Sequence, residues 1–270
     1  MRITFIGGGN MASALIGRLT QQGFPGNAIT VVDPLSEQRK NLSASFGVDC
    51  LETVNAAALE TDVLVLAVKP QQMKAALLPL AGNLTRQVVL SIAAGLTLST
   101  LSAWLSGYRR IVRAMPNTPA MIGAGISGVV ALPEVSEQEY AAAEQILRAG
   151  GEIIRVTEES QMNAITAISG SGPAYFFLFI EALSAAASEL GFAPEEARKL
   201  ALSTALGATK LAAASAETVR VLRERVTSKG GTTEAALKVM AERLVSQSII
   251  AGAQAACARS QELETLLAAN

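Results

Sequence analysis

The apolar positions change rhythm once along the chain. In the first half they gather into short runs at 3–6, 29–32, 63–68 and 88–92, with further runs at 111–115 and 126–131. The run 63–68 does not alternate with polar residues, which marks a strand buried on both faces. Helical patterns separate the early runs, at 10–22, at 36–46, from Pro70 onward and at 98–105. Proline suits the first turn of a helix because the N–H it lacks has no partner there. Strands separated by helices indicate βαβ units and a largely parallel sheet. From about residue 160 the strand signals vanish. Ala/Leu-rich helical stretches follow at 172–190, 194–214, 217–226, 232–241 and 243–268, with Gly191 and Pro194 punctuating the first pair. The expected fold is α/β: an N-terminal doubly wound sheet over 1–159, then an all-helical C-terminal domain over 160–270.

One of these helices lacks a polar face. Tyr175-Phe176-Phe177-Leu178-Phe179-Ile180 is apolar all round for nearly two turns. Such a helix is normally buried on every side, and a small helical domain has few places to bury it. A second subunit is the expected cover, so the chain is expected to form a dimer or a multiple of dimers.

Composition narrows the chemistry. Charged residues are 17% of the 270, and the net charge is −1. No basic patch or aromatic stacking platform is present, which argues against nucleic-acid binding. Three uncharged stretches, 87–108, 114–133 and 160–180, carry helix breakers or several polar groups and are read as core rather than membrane spans. The chain opens on a strand with no signal peptide before it, so a cytoplasmic location is expected. Cys50 and Cys257 have no ligand-like neighbours, and no metal site is expected. Histidine is absent, which removes mechanisms that depend on imidazole.

The first strand runs into Gly7-Gly8-Gly9-Asn10-Met11-Ala12, a G-x-G-x-x-A pattern between a strand and a helix. Gly7 permits the tight turn, Gly9 lets backbone approach a pyrophosphate, and Ala12 allows close packing. The helix start offers N–H groups and a favourable dipole to phosphates. Asp33, 26 residues after Gly7, ends the second strand. This is the fingerprint of a Rossmann-type dinucleotide domain. Asp33 either binds a ribose 2′-OH, which would repel a 2′-phosphate, or is a turn residue before Pro34. Arg39 either accepts a phosphate or lies on a polar helix surface. Ala67-Val68-Lys69-Pro70 and Ala93-Ala94-Gly95 follow the third and fourth strands, where ligands of open α/β sheets bind. A second glycine-rich turn, Ser228-Lys229-Gly230-Gly231-Thr232-Thr233, opens a later helix and suits an anion.

Taken in order, six segments resemble the pyrroline-5-carboxylate reductase family. They are 5–11, 67–70, 91–95, Met115-Pro116-Asn117-Thr118-Pro119, Ser169-Gly170-Ser171-Gly172-Pro173-Ala174-Tyr175 and 227–233. The resemblance covers essentially the whole chain. It implies reduction of the C=N bond of Δ1-pyrroline-5-carboxylate to proline with NADPH or NADH, and a helical domain that interleaves with a second subunit. It implies cofactor contacts at Gly7, Gly8, Gly9, Asn10, Met11, the turn at Asp33, Asn55, Ala67, Val68, Lys69, Pro70, Ala93, Ala94 and Gly95. It implies substrate contacts at Ser228, Gly230, Gly231, Thr232 and Thr233, with Asn117 and Ser171 nearby. Lys229 stands where many members have proline. Asp33 leaves open the choice between NADPH and NADH. No side chain is expected to act as an essential acid or base, because an imine can enter already protonated. Thr233 is expected only to orient the ring nitrogen. The rival readings are a 3-hydroxyacid dehydrogenase, which lacks its glycine-rich lysine helix here, and a non-catalytic nicotinamide sensor.

Overall fold

The computed structural model describes residues 1–269. Its first half alternates strand and helix: β1 (Ile3–Ile6), α1 (Asn10–Gln21), β2 (Ile29–Val32), α2 (Ser36–Phe46), β3 (Asp49–Leu51), α3 (Ala56–Leu59), β4 (Val63–Leu66), α4 (Pro70–Leu77), β5 (Val88–Ser91), α5 (Leu98–Trp104), β6 (Ile111–Met115), β7 (Gly125–Ala131), α6 (Glu137–Arg148) and β8 (Gly151–Arg155). The eight strands form one sheet in the order β3-β2-β1-β4-β5-β6-β7-β8. All neighbours run parallel except β6 and β7. The order reverses at β1, the topological switch point where such sheets bind ligands.

Strand parity builds two cores. Ile3, Phe5, Val31, Val63, Val65 and Leu90 face Leu15, Ile16 and Leu19 of α1, with Ala143, Ile146 and Leu147 of α6 in the same cluster. Ile6, Val32, Leu64, Leu66 and Val89 belong to the opposite cluster, with Met73 and Leu77 of α4 and Leu98 and Leu101 of α5. Both faces are covered, so the strands need no polar side, and β1, β4 and β5 are buried throughout.

Four elements of this half lie outside the expected set, β3, the four-residue α3, α6 and β8. β3 is three residues long and begins on an exposed Asp49, too short for a periodic signal. α6 and β8 extend the sheet beyond 131. Ser136 and Glu139 form a reciprocal capping box that starts α6.

The second half is helical: α7 (Gln161–Ile165), α8 (Gly172–Glu189), α9 (Pro194–Ala214), α10 (Val219–Arg225), α11 (Thr232–Glu242) and α12 (Val245–Ala268). The expected breaker Gly170-Ser171-Gly172-Pro173 does not break the helix. A π turn over Thr166–Gly170 joins α7 to α8, with the Ser171 N–H donating to Thr166 O at 2.8 Å. The resulting run 161–189 is long and apolar enough, by length and composition, to cross a membrane. Phe176, Phe177 and Leu178 are each 65–66% exposed.

The chain divides into two compact units, 1–171 together with the stretch from Ala256 onward, and 172–255. Thus α12 begins in one unit and ends in the other. The reason lies in Arg113 on β6, whose side chain is 3% exposed. Its guanidinium meets Glu159 at 2.8 Å and Glu264 of α12 at 2.7 Å. Asn163 donates to Glu264 at 2.9 Å and accepts from Ser260 at 2.6 Å. Leu267 packs into the second core cluster beside them. Breaking a buried ion pair by removing one partner strands the other charge. Arg113→Met is therefore expected to lower stability by about 3 kcal/mol in urea unfolding. Adding Glu264→Gln to that variant should recover part of the loss. A change below about 1 kcal/mol would mean that this network does not hold the C-terminal end in place.

Candidate functional site

The switch point carries a cleft of about 780 Å³, lined by Gly7, Gly9, Asp33, Glu52, Val68, Lys69 and neighbouring residues. Its floor is the β1–α1 turn. Gly7 sits at φ +96°, where L side chains are strained, and a Cβ there would lie 2.7 Å from Val68 Cγ1. The turn is pinned on both sides: the Gly7 N–H donates to Val32 O at 2.8 Å, and the Ala67 N–H to Ile6 O at 2.8 Å. Gly9 differs. It is exposed, it has an ordinary φ of −65°, and nothing lies within 4 Å of where its Cβ would stand. It caps α1, yet no side chain satisfies the N–H groups of the first turn at Asn10 and Met11. Uncapped N–H groups at a helix start facing open space form an anion cradle. These residues fit a dinucleotide pyrophosphate.

The cradle is braced from beneath. Asp33 is 8% exposed. Its Oδ2 accepts the Gly8 N–H at 2.8 Å and its Oδ1 accepts the Leu35 N–H at 2.9 Å. The Gly8 carbonyl accepts from Ser13 Oγ at 3.1 Å and from the Gln38 side-chain amide. Gln38, Ser13 and Glu52 escaped the sequence reading. A glutamine five residues past the strand-end aspartate, on the first turn of α2, is the one local signal that pointed to this brace.

Of the expected cofactor residues, Gly7, Gly9, Asp33, Ala67, Val68 and Lys69 line the cleft together. Asn55 lies outside that lining: it caps α3, its Oδ1 accepting the Ala58 N–H at 3.1 Å. Pro70 opens α4. Ala93 and Gly95 are buried, and a Cβ on Gly95 would lie 3.0 Å from Leu267. The end of α12 is therefore one reason for glycine at 95. Asn117 is 8% exposed, and both ends of its amide hold backbone: Nδ2 donates to Ser169 O at 3.1 Å and Oδ1 accepts the Ile126 N–H at 2.9 Å. It fastens the turn after β6. Ser171 is half-buried at the end of the π turn.

The 228–233 loop lies in the helical unit. Gly230 takes φ +72°, and Gly231 caps α11 with no side-chain bond to the first-turn N–H groups. Glu234 Oε2 accepts the Gly230 N–H at 2.7 Å. The N–H groups left for an anion are those of Thr232, Thr233 and Glu234 at the helix start. Thr233 is half-buried, and Ser228 and Thr232 are exposed.

Comparison with known proteins bears on both units. A family model described as pyrroline-5-carboxylate reductase dimerisation matches residues 159–263. A second, described as NADP oxidoreductase, coenzyme F420-dependent, matches residues 2–95. The pyrroline-5-carboxylate reductase of Pseudomonas aeruginosa is 45% identical over 267 residues, 97% of this chain and 98% of its own. The chain belongs to the pyrroline-5-carboxylate reductase family. A structure of the Coxiella burnetii enzyme superposes with a TM-score of 0.90 at 41% identity, covering 97% of this chain and 98% of that one. The Plasmodium falciparum enzyme, solved with NADP bound, gives 0.88 at 27% identity and 98% coverage of both. The family is NAD(P)H-dependent and catalyses the last step of proline biosynthesis.

The two glycines of the turn separate folding from binding. Gly9→Val places its side chain in open space, so the fold should survive while NAD(P)H affinity falls by about a hundredfold or more, the phosphate approach being blocked. Gly7→Val should lower the melting temperature as well, through positive φ and collision with Val68. Circular dichroism with equilibrium cofactor titration checks both, and unchanged affinity in Gly9→Val would place the pyrophosphate elsewhere.

Proposed function

We propose that this chain reduces the C=N bond of Δ1-pyrroline-5-carboxylate to L-proline with the following division of labour. The cleft from Gly7 to Lys69 holds NAD(P)H, with the pyrophosphate over Gly8, Gly9, Asn10 and Met11. The first turn of α11, with Ser228, Gly230, Gly231, Thr232 and Thr233, holds the substrate carboxylate. The observation that carries the second assignment is a glycine pair opening a helix whose first N–H groups no side chain caps. Asn117 acts by holding the turn after β6, and Ser171 stands at the start of the helix that follows. We put the functional division near residue 160, a reading that the dimerisation match from residue 159 supports.

When bound, the nicotinamide supplies the hydride. The protein's part is to position a small anionic ring and exclude alternatives. The chain contains no histidine, and a substrate that enters as the protonated imine needs no further proton to become neutral amine. Thr233 then orients the ring nitrogen.

The enzyme works as an oligomer, and we propose a homodimer or a multiple of dimers. The apolar surface of 161–189 lies wholly within the dimerisation match at 159–263. A second copy, rather than lipid or nucleic acid, is the proposed cover. The bacterial biosynthetic relatives support a cytoplasmic setting.

Thr233→Ala should raise KM for pyrroline-5-carboxylate by about tenfold to a hundredfold, the worth of one hydrogen bond to a charged group. KM for the cofactor should stay within about twofold, since the lost bond belongs to the substrate. The kcat/KM–pH profile should run parallel to that of the parent. A displaced or missing inflection would make Thr233 an acid–base residue, and an effect confined to the cofactor would remove the loop from the substrate site. Sedimentation equilibrium should give twice the 28.0 kDa of one chain, or an even multiple. A stable monomer with full activity would refute the dimer.

A further inference from the structure

The cofactor cleft carries its charge unevenly. On the β2–β3 side stand two carboxylates, Asp33 at the end of β2 and Glu52 just after β3. Among the described residues the one cation in the lining is Lys69, which follows β4 on the far side of β1. The nearest guanidinium to Asp33 along the chain is already committed. Arg39 Nη1 donates to the carbonyls of Asp33 and Pro34 at 2.8 and 2.9 Å, which uses both of its hydrogens. Its Nη2 donates to Glu52 Oε2 at 3.1 Å. The side chain is 19% exposed, so it is tucked against the turn rather than extended into solvent.

Asp33 is fixed as firmly. One backbone N–H on each carboxylate oxygen prevents it from swinging away from an incoming charge. Each oxygen keeps lone-pair capacity for another donor. In this fold a carboxylate at the end of the second strand accepts from the adenosine ribose hydroxyls, whereas a 2′-phosphate requires a free guanidinium. A doubly charged phosphate set beside Asp33 and the Arg39–Glu52 ion pair, which together carry one net negative charge, meets net repulsion.

We propose that this cleft selects the dinucleotide without a 2′-phosphate, NADH over NADPH. Asp33 is the acceptor for the ribose hydroxyls. Glu52 is a specificity residue: it holds and offsets the guanidinium that would otherwise answer a phosphate. The proposal rests on the reading of the cleft as the dinucleotide site.

The test is isothermal titration of the purified full-length protein with NADH and with NADPH. NADH should bind at least about tenfold tighter, a difference of about 1.4 kcal/mol. Glu52→Gln, at a side chain 69% exposed, should keep the fold and move the NADPH-to-NADH affinity ratio toward NADPH by about fivefold or more, as expected from removing one neighbouring charge. Asp33→Ser should move the same ratio further, and reading the ratio cancels any general loosening of the glycine turn. Tighter or equal binding of NADPH by the parent protein would overturn the selectivity while leaving the dinucleotide site in place. An unmoved ratio in Glu52→Gln would remove Glu52 from the proposal. Binding of neither dinucleotide would overturn the site itself and the proposal with it.

Discussion

A single carboxylate sets the geometry on which the cofactor cleft depends. Asp33 ends β2, and its two oxygens reach in opposite directions along the chain, one to the Gly8 N–H and one to the Leu35 N–H. The first bond ties the glycine turn to the neighbouring strand, and the second shapes the entry to α2. A glycine turn is costly to order because its backbone has the most freedom to lose. Here the loss is offset by bonds on both sides of Gly8, from the aspartate, from Ser13 and from Gln38. The result is a rigid rim around a helix start whose own N–H groups stay unclaimed. Rigidity in the support and vacancy in the donors are complementary: a cradle that capped itself would have nothing to offer a phosphate.

Much of this was legible in the chain, and the reason is physical. Strands buried on both faces write themselves as apolar runs, so β1, β2, β4, β5, β6 and β7 were visible from local composition. The fingerprint glycines were visible because a tight turn and a close approach each exclude side chains. β3 was not, since three edge residues carry no period. The capping box of Ser136 and Glu139 was present in the sequence, yet α6 and β8 were passed over; here the signal existed and was missed. Contacts distant in sequence left no local trace. Nothing near Gly95 announces Leu267, and nothing near Arg113 announces Glu264. Asn117 had two readings, a ligand contact or a bond to backbone. A polar residue in a proline-flanked turn is open to both, and here its amide bonds two backbone groups.

The helical unit poses a different problem. Its longest apolar run, 161–189, continues through a π turn where glycines and a proline suggested a stop. A wider turn absorbs the extra residue without ending the helix. The consequence is a continuous rod with aromatic side chains exposed along it. Such a surface marks a place where another surface packs, and it lies within the stretch that matches the dimerisation family model.

The course of α12 bears on how the protein is made. Synthesis runs from the N-terminus, and domains generally fold as units while the chain emerges. Here the sheet unit is interrupted by residues 172–255 and completed only by the stretch from Ala256 onward. Until that stretch is made, Arg113 has only Glu159 as an acid partner, and the hydrophobic pocket that takes Leu267 stands open. The sheet unit therefore begins to form before residues 172–255 are made and is finished only after them. A nascent chain must carry an incomplete sheet unit and the bare aromatic rod of α8 together. Between the emergence of residue 189 and that of α12, both apolar surfaces are uncovered at once.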